Sequence, residues 1–317
     1  MFAVTATALS PADALAGLTL GEHPEPQPPP GWEVVRVRAA SLNHHDLWTL
    51  RGVGMTEERL PIVLGCDAAG VTTDGREVVV HAVVGGDEPG SDFSILSERH
   101  DGTFADLVAV PRANLVDKPT ELSFEEAACL PTAWLTAYRA LFVSGGLRPG
   151  GRLLIQGAGG GVSTAAIALA RAAGARVFVT SRDESKRQRA VELGAHDAVE
   201  SGARLPERVD LVLESVGEAT WSHSLKSLDA GGTIVVVGAT SGAEPSADLR
   251  RVFYRQLRVI GSTMGTRGEL VALVRMLAAT GVRPVIDRVW AMEEARGAFE
   301  QLASGEVFGK IVLTRGP

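Results

Sequence analysis

The chain has 317 residues and a net charge of −7, long enough for about two domains at roughly 150 residues each and for a core that needs no disulfide staples. Hydrophobic residues make up 45% and charged residues 22%, which excludes a disordered chain, and the acidic balance argues against general binding to nucleic acid or anionic membrane. Two cysteines, Cys66 and Cys129, exclude a disulfide framework and a four-cysteine zinc site.

The opening MFAVTATALSPADALAG lacks the basic start and unbroken apolar core of a secretory signal. The most apolar region, from Ala127 to Val143, is interrupted by Pro131, Thr132, Thr136 and Arg139 and falls short of the roughly 18 apolar residues of a membrane span. The expectation is a soluble, cytoplasmic protein that neither crosses nor coats a membrane. Phe2–Thr7 reads as a strand, and the proline-rich run His23–Gly31 as a surface connection. Glu33–Ala39, Glu77–Ala82 and Ala105–Val110 read as short strands among Gly and Asp turns. His44–Arg59 reads as a loop. The first third is thus expected to form a small barrel or sandwich.

From Ser123 the pattern changes. Ser123-Phe-Glu-Glu126 fits a capping box, and a second helical stretch, Thr132 to Val143, is expected to open after Pro131 and stop at Gly145-Gly146. Then come strand Arg152–Gln156, helix Val162–Ala173, strand Arg176–Thr180 and helix Glu184–Leu193. Strands follow at Asp210–Glu214, Thr233–Val237 and Leu257–Ile260, helices near Glu269–Thr280 and Met292–Ala303, and a last strand at Lys310–Thr314. Apolar strands alternating with helices predict an α/β, doubly wound parallel sheet covered on both faces.

Strand RLLIQ runs directly into Gly157-Ala-Gly-Gly-Gly-Val-Ser163 and a helix. Such a turn lets backbone N–H groups meet a pyrophosphate at the positive helix end. The candidate donors are Gly159, Gly160, Gly161 and Val162. An NAD site calls for a carboxylate at the end of the next strand. Here Ser181 stands there, with Arg182 and Lys186 close behind, and a hydroxyl with cations suits a 2′-phosphate. The coenzyme reading is therefore NADP(H), against the plainer alternative of a solvated, basic helix start.

The segments SLNHHDLW, LGCDAAGVT, DGTFADLVAVP, LSFEEAACLPTAWLTAYRAL, GAGGGVSTAAIALARAAGA, VDLVLESVG, GGTIVVVGAT and FGKIVL, in this order, resemble the medium-chain dehydrogenase/reductase superfamily over essentially the whole chain. The resemblance implies a chaperonin-10-like β-barrel catalytic domain, 1–128 completed by 268–317. It implies a Rossmann domain, 129–267, with the active site in the cleft between the two. In zinc members, Asn43 would stand at a cysteine ligand, Cys66 at a histidine and Thr132 near the third ligand. Asn and Thr are poor zinc ligands, and His81 to His100 holds no cysteine for a structural zinc; neither metal site is expected. A substitute cluster of Cys66 and Asp67 with His44, His45 and Asp46 is the rival reading. Without a Lewis acid, hydride transfer to an activated acceptor is favoured over alcohol oxidation, and the chain is most similar to the zinc-free quinone oxidoreductase and enone reductase branches.

The resemblance further implies that Asn43 faces the nicotinamide and donates to a substrate carbonyl, the alternative being a loop amide bonding its own backbone. Asp46 would organise the cleft or simply pair with a neighbour. His44 would touch cofactor phosphates, Thr136 flank the nicotinamide, and Val216 with Gly238, Ala239 and Thr240 offer backbone groups to the coenzyme. Lys310 would stand near the pyrophosphate. Tyr138 and Tyr254, the only tyrosines, read as packing groups, so the proton donor is unassigned. Trp48, Leu50, Met55 and Phe93, from His44–Arg59 and Gly85–His100, suggest an apolar pocket for a small conjugated carbonyl or quinone. Edge strand Leu257–Ile260 would pair with its copy in a homodimer. The rivals are a zinc-free alcohol or carbonyl dehydrogenase and a non-catalytic NADPH-binding sensor.

Overall fold

The computed structural model describes residues 1–86 and 92–315; part of the expected lining segment Gly85–His100 therefore lies outside the described residues. The chain divides into two compact units, 1–133 with 266–317, and 134–265.

The first unit is built of short strands. They are β1 (Phe2–Ala6), β2 (Leu18–Glu22), β3 (Trp32–Ser41), β4 (Ile62–Val63) and β5 (Asp67–Thr72). After them come β6 (Glu77–Val80), β7 (Val83–Gly85), β8 (Phe93–Ile95), β9 (Leu107–Pro111) and β10 (Leu115–Asp117). Helices α1 (His44–Leu50) and α2 (Phe124–Ala128) complete this stretch. The ten residues of β3 are its hub, antiparallel to β5 on one side and β9 on the other. Short strands turning at Gly and Asp suit this curvature, because each side chain alternates between core and surface. The segment read as a loop from His44 begins instead as helix α1. Asp46, in its first turn, bonds back to the Asn43 N–H at 2.8 Å and so starts the helix. The capping box at Ser123 forms as expected, with Ser123 Oγ accepting the Glu126 N–H and the Glu126 carboxylate accepting the Ser123 N–H.

A helical run carries the chain from the first unit into the second. It is π-type over Leu130–Trp134, α-type in α3 (Leu135–Tyr138), and π-type again over Arg139–Ser144. The expected single helix is therefore interrupted; Pro131 removes one backbone donor near its start. Then follow β11 (Arg152–Gln156), α4 (Gly161–Ala172), β12 (Arg176–Thr180), α5 (Glu184–Glu192), β13 (Asp197–Val199) and β14 (Val209–Glu214). The unit ends with α6 (Glu218–Ser227), β15 (Leu228–Val236), α7 (Leu249–Tyr254) and β16 (Arg258–Gly261). All six strands are parallel, in the order β13-β12-β11-β14-β15-β16. The order reverses beside β11, and such switch points open a crevice at the strands' carboxyl ends. Leu154, Phe178, Val212, Leu225 and Ile234 pack one side of this sheet. Short alanines let α4 lie close on the sheet, and eight of its residues are buried.

The chain then returns to the first unit through α8 (Arg267–Thr280), β17 (Ile286–Ala291), α9 (Ala295–Ser304) and β18 (Lys310–Thr314). Strand β18 pairs antiparallel with β3 and parallel with β17, so segments that precede and follow the second unit in sequence share one sheet. Among the described residues no helix is long and apolar enough to cross a membrane.

Candidate functional site

In the first unit, β3, β5, α1 and β18 converge on a buried carboxylate. Asp67 opens β5 with no exposure. Its Oδ2 accepts Ser41 Oγ at 2.9 Å and Asn43 Nδ2 at 2.8 Å, and its Oδ1 accepts Thr132 Oγ1 at 2.6 Å. Lys310, the first residue of β18, is 2% exposed. Its ammonium donates to Leu42 O at 2.7 Å, Asn43 Oδ1 at 2.6 Å and Asp67 Oδ2 at 3.3 Å. An ammonium has three protons. All three are committed within this unit, so Lys310, expected at a pyrophosphate, has none left for a ligand. Asn43 is likewise drawn inward: its oxygen takes Lys310, and its amide nitrogen takes Asp67 with longer contacts to Ser41 O at 3.4 Å and Cys66 Sγ at 3.6 Å. The expected donation from Asn43 to a substrate carbonyl finds no free N–H in this arrangement.

Asp46 is fully buried, with one oxygen on the Asn43 N–H and Oδ1 without a partner. Burial pushes its pKa up to about 6, against the opposing pull of His45 and the Asn43 N–H. His45 Nε2 meets Glu98 Oε1 at 3.1 Å, while its Nδ1 is buried without a partner. Burial alone pulls the imidazole down, but the Glu98 bond and the charges of Asp46, Glu98 and Asp67 outweigh it and raise its pKa. His44 is exposed and leans on Trp48 with ring centroids 6.4 Å apart. Leu50 and Met55, expected to line a pocket, are buried in the core, whereas Trp48 and Phe93 are exposed.

In the second unit the expected coenzyme residues fall together. The glycine turn follows β11, Ser181 follows β12, Val216 follows β14, and Gly238-Ala239-Thr240 follow β15. These are the carboxyl ends of four adjacent parallel strands, where a dinucleotide fits. Gly157 and Gly159 have φ of +81° and +99°, values that favour glycine. Gly160 caps α4, and a Cβ built on it would meet nothing within 4 Å, which leaves the backbone open to an anion. The residues present fit a dinucleotide.

Beyond β12, Asp183 caps α5 through the Lys186 N–H at 3.2 Å, and Ser181 Oγ accepts the Asp183 N–H. Arg182 is exposed, Lys186 is half-buried, and Arg187 reaches back to Ser181 O at 2.8 Å. Thr136 is buried in α3, between the two π-type segments. Tyr138 packs edge-on against Phe142. Tyr254 is 79% exposed and is not the packing group it was read as.

Glu214, Glu98 and Arg187 were missed as site-forming residues by sequence reasoning. An acid ending the apolar run VDLVLE was the visible signal for Glu214; Glu98 left none, since its histidine partner is remote in sequence. Asp67 was weighed only as part of a metal cluster, though an acid entering an apolar strand is itself a signal of a buried partner.

Zinc is poorly served by this donor set. Asn43 and Thr132 are turned onto Asp67, and Cys66 contacts Thr132 Oγ1 at 3.4 Å. His45, Asp46 and Cys66 do bring one ligand atom each within 4.8 Å of one another. However, Asn43 and Thr132, which stand against the Cys66 sulfur, are poor zinc ligands, and burial, then the charges of Asp67 and Asp46, push the Cys66 thiol well above its ordinary range, so an ion would have to displace its proton.

Comparison with known proteins agrees with this architecture. A family model described as zinc-binding dehydrogenase matches residues 161–279, and one described as alcohol dehydrogenase GroES-like domain matches 29–120. A zinc-type alcohol dehydrogenase-like protein of Schizosaccharomyces pombe is 32% identical, covering 90% of this chain and 91% of its own. An acryloyl-coenzyme A reductase of Metallosphaera sedula is 30% identical, covering 94% and 96%. The solved structure of an NAD-dependent alcohol dehydrogenase superposes with a TM-score of 0.91 at 35% identity, covering all of both chains. The chain belongs to the medium-chain dehydrogenase/reductase superfamily, among its zinc-type alcohol dehydrogenase-like members, and is an oxidoreductase of that kind.

Proposed function

We propose that this oxidoreductase uses NADPH and reduces a conjugated carbonyl or a quinone without a metal ion. The observation that carries the reading is the end of β12. Ser181 stands where a carboxylate would bind a free ribose, and Arg182, Lys186 and Arg187 follow it within two helical turns. A 2′-phosphate gains from these cations; the acids beside them are Asp183, engaged as the cap of α5, and Glu184 in its first turn.

NADPH, when bound, supplies the hydride. The protein's part is to hold it: backbone N–H groups of 159–162 on the pyrophosphate, Val216 and 238–240 along the nicotinamide half, with Thr136 beside the ring. A conjugated acceptor spreads its growing charge to an enolate, so it needs no strong Lewis acid. The acryloyl-coenzyme A reductase relative supports an α,β-unsaturated acceptor. His45 and Asp46 are the groups in the first unit placed to hold or pass a proton, each with one unpartnered buried atom. The second reading, an alcohol or carbonyl dehydrogenase, draws on the structure of the NAD-dependent alcohol dehydrogenase.

We also assign a homodimer through β16. It is one of the sheet's two edge strands, Val259 is exposed on it, and Leu249, Phe253 and Tyr254 of the neighbouring α7 are exposed as well; unpaired apolar edges favour association.

The test follows coenzyme absorbance with a quinone, an enone, an enoyl thioester and a simple aldehyde. Consumption of NADPH with one of the first three supports the reading. Turnover confined to the aldehyde, or to NADH, sinks it.

A further inference from the structure

The buried carboxylate of Asp67 needs a positive partner, since an ion removed from water is tolerated only when paired and hydrogen-bonded. Among the described residues, the one cation paired with it is Lys310, within 3.3 Å. The Lys310 ammonium is met by three oxygens of three kinds: a backbone carbonyl of Leu42, the amide oxygen of Asn43 and the carboxylate of Asp67. That is the oxygen set that a hard cation gathers. The backbone directs the ammonium there. Gly309, with φ of +112°, turns the chain into β18 at a point where a Cβ would lie 2.4 Å from Val285 O. Pairing of β18 with β3 then sets Lys310 beside Leu42 and Asn43.

We propose that the Lys310 ammonium is the resident cation of this cluster, a tethered charge that replaces a metal ion and keeps divalent cations out. The inference rests on the proposed function only in its metal-free premise. A divalent ion entering here meets a fixed positive charge and finds the Asn43 and Asp67 oxygens already engaged. Removing the ammonium while keeping Asp67 leaves an anion with hydroxyl and amide donors but no cation, and His45, Asp46 and Cys66 close by. That arrangement attracts a metal. Removing both charges does not.

The test compares the wild-type chain, K310M and K310M/D67N, each stripped with chelator and then heated with and without zinc chloride. Zinc is expected to raise the melting temperature of K310M by several degrees, as a ligand of the native state does, and to leave the wild type and the double variant unmoved. Cobalt added to K310M should give a thiolate-to-metal absorption band absent from the other two. A metal-dependent shift or band in the wild type overturns the proposal, as does a K310M protein indifferent to both metals. Should K310M not accumulate alone, recovery of folded protein only in zinc-supplemented medium supports the proposal, and failure in both media overturns it. NADPH binding is titrated on the same wild-type sample, so a missing coenzyme site and a misassigned cation give different results.

Discussion

Glu214, the last residue of β14, folds back on the loop that follows it: its Oε1 accepts the Gly217 N–H at 3.0 Å. The same oxygen takes the Val216 N–H at 2.9 Å and Thr220 Oγ1 at 2.8 Å, and Oε2 takes Ser224 Oγ at 2.6 Å. Four donors converge on a fully buried carboxylate. E214Q, equal in size, puts a donor among donors and is expected to lower stability by about 2–4 kcal/mol. Because Val216 moves with it, coenzyme affinity should fall as well. Urea unfolding and a fluorescence titration check this; an unchanged midpoint would falsify the role given to Glu214.

The proposed choice of NADPH is tested at Ser181. S181D places a carboxylate beside the 2′ position, and NADPH should bind at least about ten-fold more weakly, roughly 1.4 kcal/mol, with NADH unaffected or improved. Equal losses for both coenzymes point to a damaged turn and not to charge recognition.

Asp46 makes stability depend on pH in an unusual direction for an acid. Its folded pKa, about 6, lies above its ordinary 3.8, so the protonated form favours the fold. Stability from this group is full below about pH 4 and is lost as pH rises through 6, about 3 kcal/mol in all. D46N carries no such titration, so its stability relative to wild type should climb between pH 4 and 7. Parallel denaturation curves of the two proteins across that range contradict the assignment.

Edge strand β16 predicts assembly. V259K sets a charge on the exposed apolar edge, where strands are guarded by lysine, and should turn a dimer into a monomer by light scattering. A wild-type chain already monomeric at micromolar concentration removes the dimer from the reading.

The Rossmann half was legible because period and punctuation agree there: RLLIQ before five glycine-rich positions and RVFVT before Ser181; in the first unit the last strand, Lys310–Thr314, was legible too and is the observed β18. The barrel was harder to read. Its strands β4, β7 and β10 have two or three residues, too few for alternation to show, and α1 was hidden because its start depends on the Asp46–Asn43 bond and not on apolar spacing. Short β13 and the charged α6 escaped for related reasons.

What the residues alone determined was local: the glycine turn between a strand and a helix, which charges follow β12, and that Asn43 and Thr132 are poor zinc-ligand types. Tertiary structure decided what is paired with what. Lys310 lies 243 residues from Asp67 along the chain, and only the docking of β18 on β3 reveals that its ammonium is buried there and not offered to a phosphate. A buried charge is defined by its partners, and such partners are remote in sequence because one sheet joins β3 and β5, which precede the second unit, to β18, which follows it.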